Sequence, residues 1–153
     1  MALGDYPGAI KALETAAETA GGRKLEVLVL LAQTRMKMKE PAKARAVAEQ
    51  VLKLDKTNTT ACAIIAEVQA SHTGDGEKIE PLISLLTQMT NSPNAAGDDA
   101  ARALWYLGEI LFRKYKALPS DQVEEKVTAL QQLQGIYNQA ASMGSPEWAV
   151  ASL

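Results

Sequence analysis

The chain reads as an all-α protein, an α-solenoid of stacked antiparallel helical hairpins. Two apolar stripes of helical period flank Lys39-Glu40-Pro41: Leu25, Leu28, Leu31, Ala32, Arg35 and Met36 before it, and Ala44, Val47, Ala48, Val51 and Leu52 after it. So short a link permits only a tight turn, so the two helices form a hairpin. The pattern also recurs. Ala9-x-x-x-Leu13-x-x-Ala16 has the spacing of Ala44-x-x-x-Ala48-x-x-Val51, an offset of 35 residues, and Gly4-Asp5-Tyr6-Pro7 precedes the first as Lys39-Glu40-Pro41 precedes the second. Finally, no stretch shows strand alternation or an Asn-Gly hairpin signal. A hairpin that cannot cover its own apolar faces must stack on copies of itself.

Taken in order, a helix runs from Asp5 to Ala20, closed by Gly21-Gly22. Helices over about 24–38 and 41–54 form the central hairpin. Thr57-Asn58 caps a helix over about 59–72, whose core stripe is Cys62, Ile65, Ala66 and Gln69. His72-Thr73-Gly74-Asp75-Gly76 is a turn. A helix over 77–91 follows, with Ile79, Leu82, Ile83, Leu86 and Met89 inward and Pro81 in its first turns, where proline is tolerated. After the Asn91–Gly97 loop, Asp98 or Asp99 starts a helix through about Lys116, broken by Leu118-Pro119-Ser120. Ser120 caps a helix over 121–143, with Val123, Val127, Leu130, Gln134, Tyr137 and Ala141 as its inward stripe. Ser145-Pro146 opens one more helix. The expected organisation is one array over 1–153, cut at both ends, with hairpins at about 1–22 (partial), 24–55, 57–92, 97–143 and 146–153 (partial), that is, a segment of a longer protein.

Composition narrows the function. Hydrophobic residues make up 47% and charged residues 22% of the chain, as in an ordinary soluble domain. The formal net charge of −2 argues against a nucleic-acid binder. No apolar run approaches the ~20 residues that span a bilayer. Cys62 is the single cysteine and His72 the single histidine; they sit almost three turns apart on one helix, so no Cys–His dyad forms. Cys62 reads as a small core residue. Asp75, Glu77 and Glu80 lack a metal-ligand pattern, and Gly74-Asp75-Gly76 lacks the strand and the Gly-Lys-Ser/Thr of a phosphate loop. Asp98-Asp99 and Glu124-Glu125 fall in helical first turns, where acids suit the dipole. No cofactor, metal or catalytic set is expected.

Leu104-Trp105-Tyr106-Leu107-Gly108-Glu109-Ile110-Leu111 carries a Leu-Gly pair in mid-helix. With the 35-residue offset, the chain here resembles the tetratricopeptide repeat family, whose period is ~34 residues with W-x2-L-G-x2-Y on the first helix, then A-x3-F and a closing Pro. Leu107-Gly108 matches. Leu104 fills the Trp slot and Leu111 the Tyr slot. Over 25–56 the slots hold Leu28, Leu31-Ala32 and Arg35, then Ala44, Ala48 and Val51, with Lys56 in place of the proline. The insertions near Gly74 and Leu118 lengthen the later hairpins.

The resemblance implies a superhelix whose first helices line a concave groove. Its groove slots map to Val29, Gln33, Met36 and Lys37; to Ala63, Glu67, Ala70 and Ser71; and to Trp105, Glu109, Phe112 and Arg113. Trp105, Glu109 and Phe112 recur at i, i+4, i+7 outside the core stripe of Leu104, Leu107, Leu111 and Tyr115. Exposed aromatics with an arginine have the composition of a binding hot spot; the competing reading packs both rings on a neighbouring helix. The groove candidates are therefore Trp105, Glu109, Phe112, Arg113, Gln33, Met36, Lys37 and Glu67. The chaperone-tail clamp of this family needs Lys and Asn where this chain has Val29, Gln33 and Ile64, so that role is not expected. The basic run Arg35, Lys37, Lys39, Lys43, Arg45 reads as a solvated set split between faces. The implied function is a non-catalytic protein–protein interaction scaffold that binds a peptide or protein segment. The alternative is a structural spacer or self-assembly module stacking end to end. Arrays of this look are common in bacterial envelope and secretion machinery, but the resemblance assigns neither a parent protein nor a compartment; bacterial cytoplasm and periplasm both stay open.

Overall fold

The computed structural model describes residues 5–71 and 78–144, and within them the chain is all-α. The expected turn at 72–76 and the helix from Pro146 lie outside the described residues. The helices are α1 (Tyr6–Thr19), α2 (Lys24–Lys37), α3 (Pro41–Leu54), α4 (Thr59–Ser71), α5 (Glu80–Thr90), α6 (Asp98–Ala117) and α7 (Val123–Met143), with a 3-10 turn at Gly21–Arg23 joining α1 to α2.

Local chemistry sets the helix ends. The Asp5 carboxylate accepts from the Gly8 amide and caps α1, with Pro7 in its first turn. Between α2 and α3, the Lys39 amide donates to the Met36 carbonyl and the Glu40 amide to the Arg35 carbonyl, both at 3.0 Å. This pair of bonds closes the helix in a Schellman turn, with Lys39 at φ 57° in the position that glycine usually takes. Asp55 accepts from the Thr57 amide, and Asn58 from the Ala61 amide at 3.1 Å, so α4 is capped as its sequence predicts. The cap of α7 differs. Its N-cap is Gln122 with no side-chain bond, and Ser120 stands outside the helix.

α2 packs on α1 and α3, α3 on α4, and α4 on α6, with α6 on α7. α4 has its largest contact with α6 rather than with its own hairpin partner α5, so the expected 57–92 hairpin is splayed open. Small residues explain the preference. Ala61, Ala63 and Ala66 on α4 and Ala100 and Ala103 on α6 are almost wholly buried and let the two backbones approach closely. α4 is buried all round from Ala61 to Ala66 and from Val68 to Ala70, which exceeds the single stripe expected of it. Its one buried amide, Gln69, donates to the Lys78 carbonyl at 3.3 Å.

Two inward assignments are corrected. Ile83 is exposed on α5, where Ile79, Leu82, Leu86 and Met89 supply the core. On α7 the docked residues are Leu133 and Ala140, with Ile136 and Met143 beside them, while Val123, Val127 and Leu130 stay in solvent. α7 carries two adjacent apolar stripes, and α6 covers only one.

The α6–α7 contact turns on Gly108. A methyl group built there would lie 2.5 Å from Cε1 and 2.7 Å from Cζ of Tyr137, whereas one at Gly135 on α7 would meet nothing within 4 Å. Helix propensity alone favours alanine over glycine by about 1 kcal/mol at either site. Gly135→Ala is therefore expected to raise stability by about 1 kcal/mol in urea unfolding. Gly108→Ala is expected to lower it by ~1 kcal/mol because overpacking outweighs propensity. A double-mutant cycle with Tyr137→Ala should recover most of that loss.

Candidate functional site

α2, α4 and α6 converge on one cleft of about 350 Å³. α2 contributes Gln33, Met36 and Lys37, α4 contributes Ile64 and Glu67, and α6 contributes Asp99 and Arg102. The spacing on each helix follows from helical period: residues at i, i+3 and i+4 share a face. Glu67 is present for a further reason. Between Ala61 and Ala70 it is the one residue of α4 that is not buried, so the helix has a single polar window, and this cleft is where it opens.

The walls are polar and carry both signs. Arg102 pairs with Asp99 at 3.0 Å, and the Thr60 hydroxyl donates to the other Asp99 oxygen. The Arg102 Nε is buried without a hydrogen-bond partner. Above Glu67 stands Tyr106, one turn beyond Arg102. Burial first, then the Glu67 charge, push its phenol above the usual range. Lys37 is exposed and has no carboxylate partner among the described residues.

The sequence-derived candidates thus fall in two groups. Gln33, Met36, Lys37 and Glu67 line the cleft together. Trp105, Glu109, Phe112 and Arg113 lie farther along α6, outside its lining, and each has a contact within the chain. Trp105 meets the Tyr106 ring edge-on at 5.1 Å, and Glu109 accepts from the Tyr137 hydroxyl at 3.3 Å. Phe112 stacks on Tyr115 at 6.1 Å, and the Arg113 guanidinium donates to the Ala70 carbonyl, closing the C-terminal end of α4. Of the other groove slots, Ala63 and Ala70 are buried. Asp99, Arg102 and Ile64 were not among the candidates. Asp99-x-x-Arg102-x-x-x-Tyr106 does share one helical face in sequence, which is the signal that would have found them.

A second cleft, of about 540 Å³, opens between α1 and α3 over α2, with Glu14, Leu28, Leu31, Arg35, Lys43 and Val47 among its lining. Its chemistry is that of a joint. Arg35, with its side chain 11% exposed, pairs with Glu14 of α1 and, at 2.8 Å, with Glu40 of the α2–α3 turn. Lys43 also binds Glu40 at 2.7 Å. The Lys43 bond first, with Arg35 adding to it against burial, holds the Glu40 carboxyl below its usual range. Most of the expected solvated basic run is therefore internally paired: Arg35 and Lys43 here, and Arg45 with Glu49 at 3.2 Å.

No group of three or more histidine, cysteine or acidic residues that could hold a metal exists among the described residues. No described helix is long and apolar enough to cross a membrane. The alternation of helices, with first helices facing one cleft, defines a helical-repeat protein. Residues 1–69 match the family model described as tetratricopeptide repeat, which supports assigning this span to that family. No curated protein and no solved structure matches the chain. Tetratricopeptide repeats generally mediate protein–protein interaction and are typically non-catalytic.

Burial sets an alkaline limit on the fold. Burial, then the Asp55 charge, push the Cys62 thiol from 9.0 to about 12; burial, then Glu109, push the Tyr137 phenol from 10.0 to about 12. Both folded-state values lie above the unfolded ones, so the native state holds its protons longer. The stability these groups contribute is complete below about pH 9 and is lost as pH rises toward 12. Urea midpoints measured from pH 8 to 11.5 are expected to fall progressively above pH 9, and Tyr137→Phe to flatten the upper part of that fall. Cys62 is expected to resist thiol reagents at neutral pH until the chain unfolds.

Proposed function

We propose that the chain is a non-catalytic protein-interaction module whose cleft between α2, α4 and α6 receives a segment of a partner protein. The observation that carries this reading is the convergence of Gln33, Met36, Lys37, Glu67, Asp99 and Arg102 from three separate helices onto one concave surface. Their chemistry suits a polypeptide. The Gln33 amide can donate to a main-chain carbonyl and accept from a main-chain amide at once. Met36 is a flexible, polarizable side chain that adapts to varied apolar groups. Lys37 and Arg102 provide cations, and Glu67 provides an anion, so the surface selects a segment with both charges rather than a polyanion. A volume of about 350 Å³ holds a few residues of that segment. Tyr106 and Trp105 continue the surface along α6, where a longer segment would run.

Lys37→Glu with Arg102→Glu reverses both cleft cations while leaving the apolar core untouched. Affinity capture from the source cell with the unaltered chain, this double variant and a Lys53→Glu control on α3 provides the test. A partner identified by mass spectrometry should bind the double variant at least about tenfold more weakly, ~1.4 kcal/mol, and the control unchanged. Circular dichroism checks that the helices persist. Equal binding to all three proteins would refute the assignment of the cleft.

A further inference from the structure

The charges of the cleft between α2, α4 and α6 are not equally available to a ligand. Asp99 engages both carboxylate oxygens within the chain: one pairs with Arg102 at 3.0 Å, and the other accepts from the Thr60 hydroxyl at 2.5 Å. The two charges of that pair offset each other, and the Arg102 Nε is buried. Lys37 and Glu67 are left. Lys37, exposed at the end of α2, has no carboxylate partner among the described residues. Glu67, half-buried on α4, has no cationic partner among them. Its neighbour is the Tyr106 phenol, whose proton the Glu67 charge helps to retain. Lys37 and Glu67 line the same cleft without forming an ion pair with each other.

These two charges stand on helices that touch. α2 packs directly on α4, and the axes of packed helices lie ~8–10 Å apart. A segment crossing them in extended form advances ~3.3 Å per residue, and only alternate side chains share a face. Side chains two positions apart on that face are therefore ~7 Å from each other. The flexible four-carbon stem of Lys37 covers the remaining difference. Uniform charge fails at one of the two positions: a run of acids sets one against Glu67, and a run of bases sets one against Lys37.

We propose that the segment received by this cleft carries an acidic and a basic side chain two positions apart, the acid on Lys37 and the base on Glu67. The proposal rests on the reading of the cleft as a segment-binding site and adds the charge order that the site selects. Lys37 and Glu67 are its specificity-determining residues. Arg102, neutralised by Asp99, is a positioning residue that holds the α6 wall.

The probe is a phage-displayed library of random peptides of about ten residues, ~33 Å when extended, selected on the full chain. Gln33→Trp places a bulky ring in the cleft, so peptides that lose binding to this variant are the cleft binders. These are expected to share an acid and a base two positions apart, in one consistent order. By calorimetry, a synthetic cleft binder should bind at least about tenfold more tightly than the same peptide with the two charges exchanged. Selection on Lys37→Glu should replace the acid with Lys or Arg and keep the base. The Lys37→Glu, Glu67→Lys double variant should prefer the exchanged peptide. Lys37 is exposed, so its variant keeps the fold even if Glu67→Lys does not; Glu67→Gln then serves instead and should remove the preference for the base alone. Circular dichroism checks each variant. Cleft binders that lack the charge pair, or that keep the same preference on Lys37→Glu, overturn the proposal and leave the cleft reading standing. A library that yields no peptide sensitive to Gln33→Trp overturns both.

Discussion

The rest of the structure depends on the burial of α4. A helix that hides Ala61 through Ala66 and Val68 through Ala70 needs neighbours on every side, and α6 and α3, with smaller shares from α2 and α5, supply them. Its alanines make this possible, because side chains of one carbon let the backbones of α4 and α6 come close without a ridge to interlock. The cost is specificity of depth: a larger residue at Ala63, Ala66 or Ala103 would push α6 outward and shift Arg102 relative to Gln33. The cleft is thus a consequence of core packing. Its width is set by alanines that do not line it.

The same burial accounts for which polar groups survive. Gln69 is retained inside because it satisfies the Lys78 carbonyl across the α4–α5 connection, while the exposed Arg113 reaches back to complete the carbonyl end of α4. An unpartnered polar group at Gln69 would cost roughly 1–3 kcal/mol. Arg35 does comparable work at the other end of the array, bridging α1 and the α2–α3 turn through Glu14 and Glu40. α1 buries no residue fully, so this ion pair and the half-buried Ile10, Leu13 and Ala17 are what fix it.

Much of the fold is legible in the sequence, because a 3.6-residue period marks each helix and Pro41, Pro81, Asp5 and Asn58 mark their starts. What periodicity does not carry is which of two neighbouring stripes is covered. On α7 the residues Val123, Val127 and Leu130 are as apolar as Leu133, Ile136 and Met143, and only the placement of α6 decides between them. Nor does local pattern reveal partners distant in sequence. Arg113 and Glu109 look like free groove residues until α4 and α7 bring Ala70 and Tyr137 to them. Gln33, Met36, Lys37 and Glu67 were legible because repeat spacing places equivalent slots of successive first helices on the same side. Arg102 is not legible this way because it lies before the Leu104 position, outside the groove slots of the repeat.

The two surfaces differ in how they would gain affinity. The cleft is narrow and polar and carries both signs, so its contacts exchange water for hydrogen bonds at little net gain each, on the order of 1 kcal/mol. Under the proposed reading, what it would offer is register, since a segment would have to match Gln33, Lys37, Glu67 and Arg102 in order. The α6–α7 face is open and apolar and also carries both signs, with exposed Asp121, Glu124 and Glu125 at the same hairpin end as Lys116 and Lys126, so any gain there would come mainly from area buried. Because α6 belongs to both, with Arg102 at one end and Phe112 and Lys116 at the other, a ligand on either surface leans on the same helix. Its tie to α4 through Arg113 fixes the spacing between the two surfaces. A partner that met both surfaces would therefore gain effective concentration at the second once it held the first, with α6 as the rigid spacer between them.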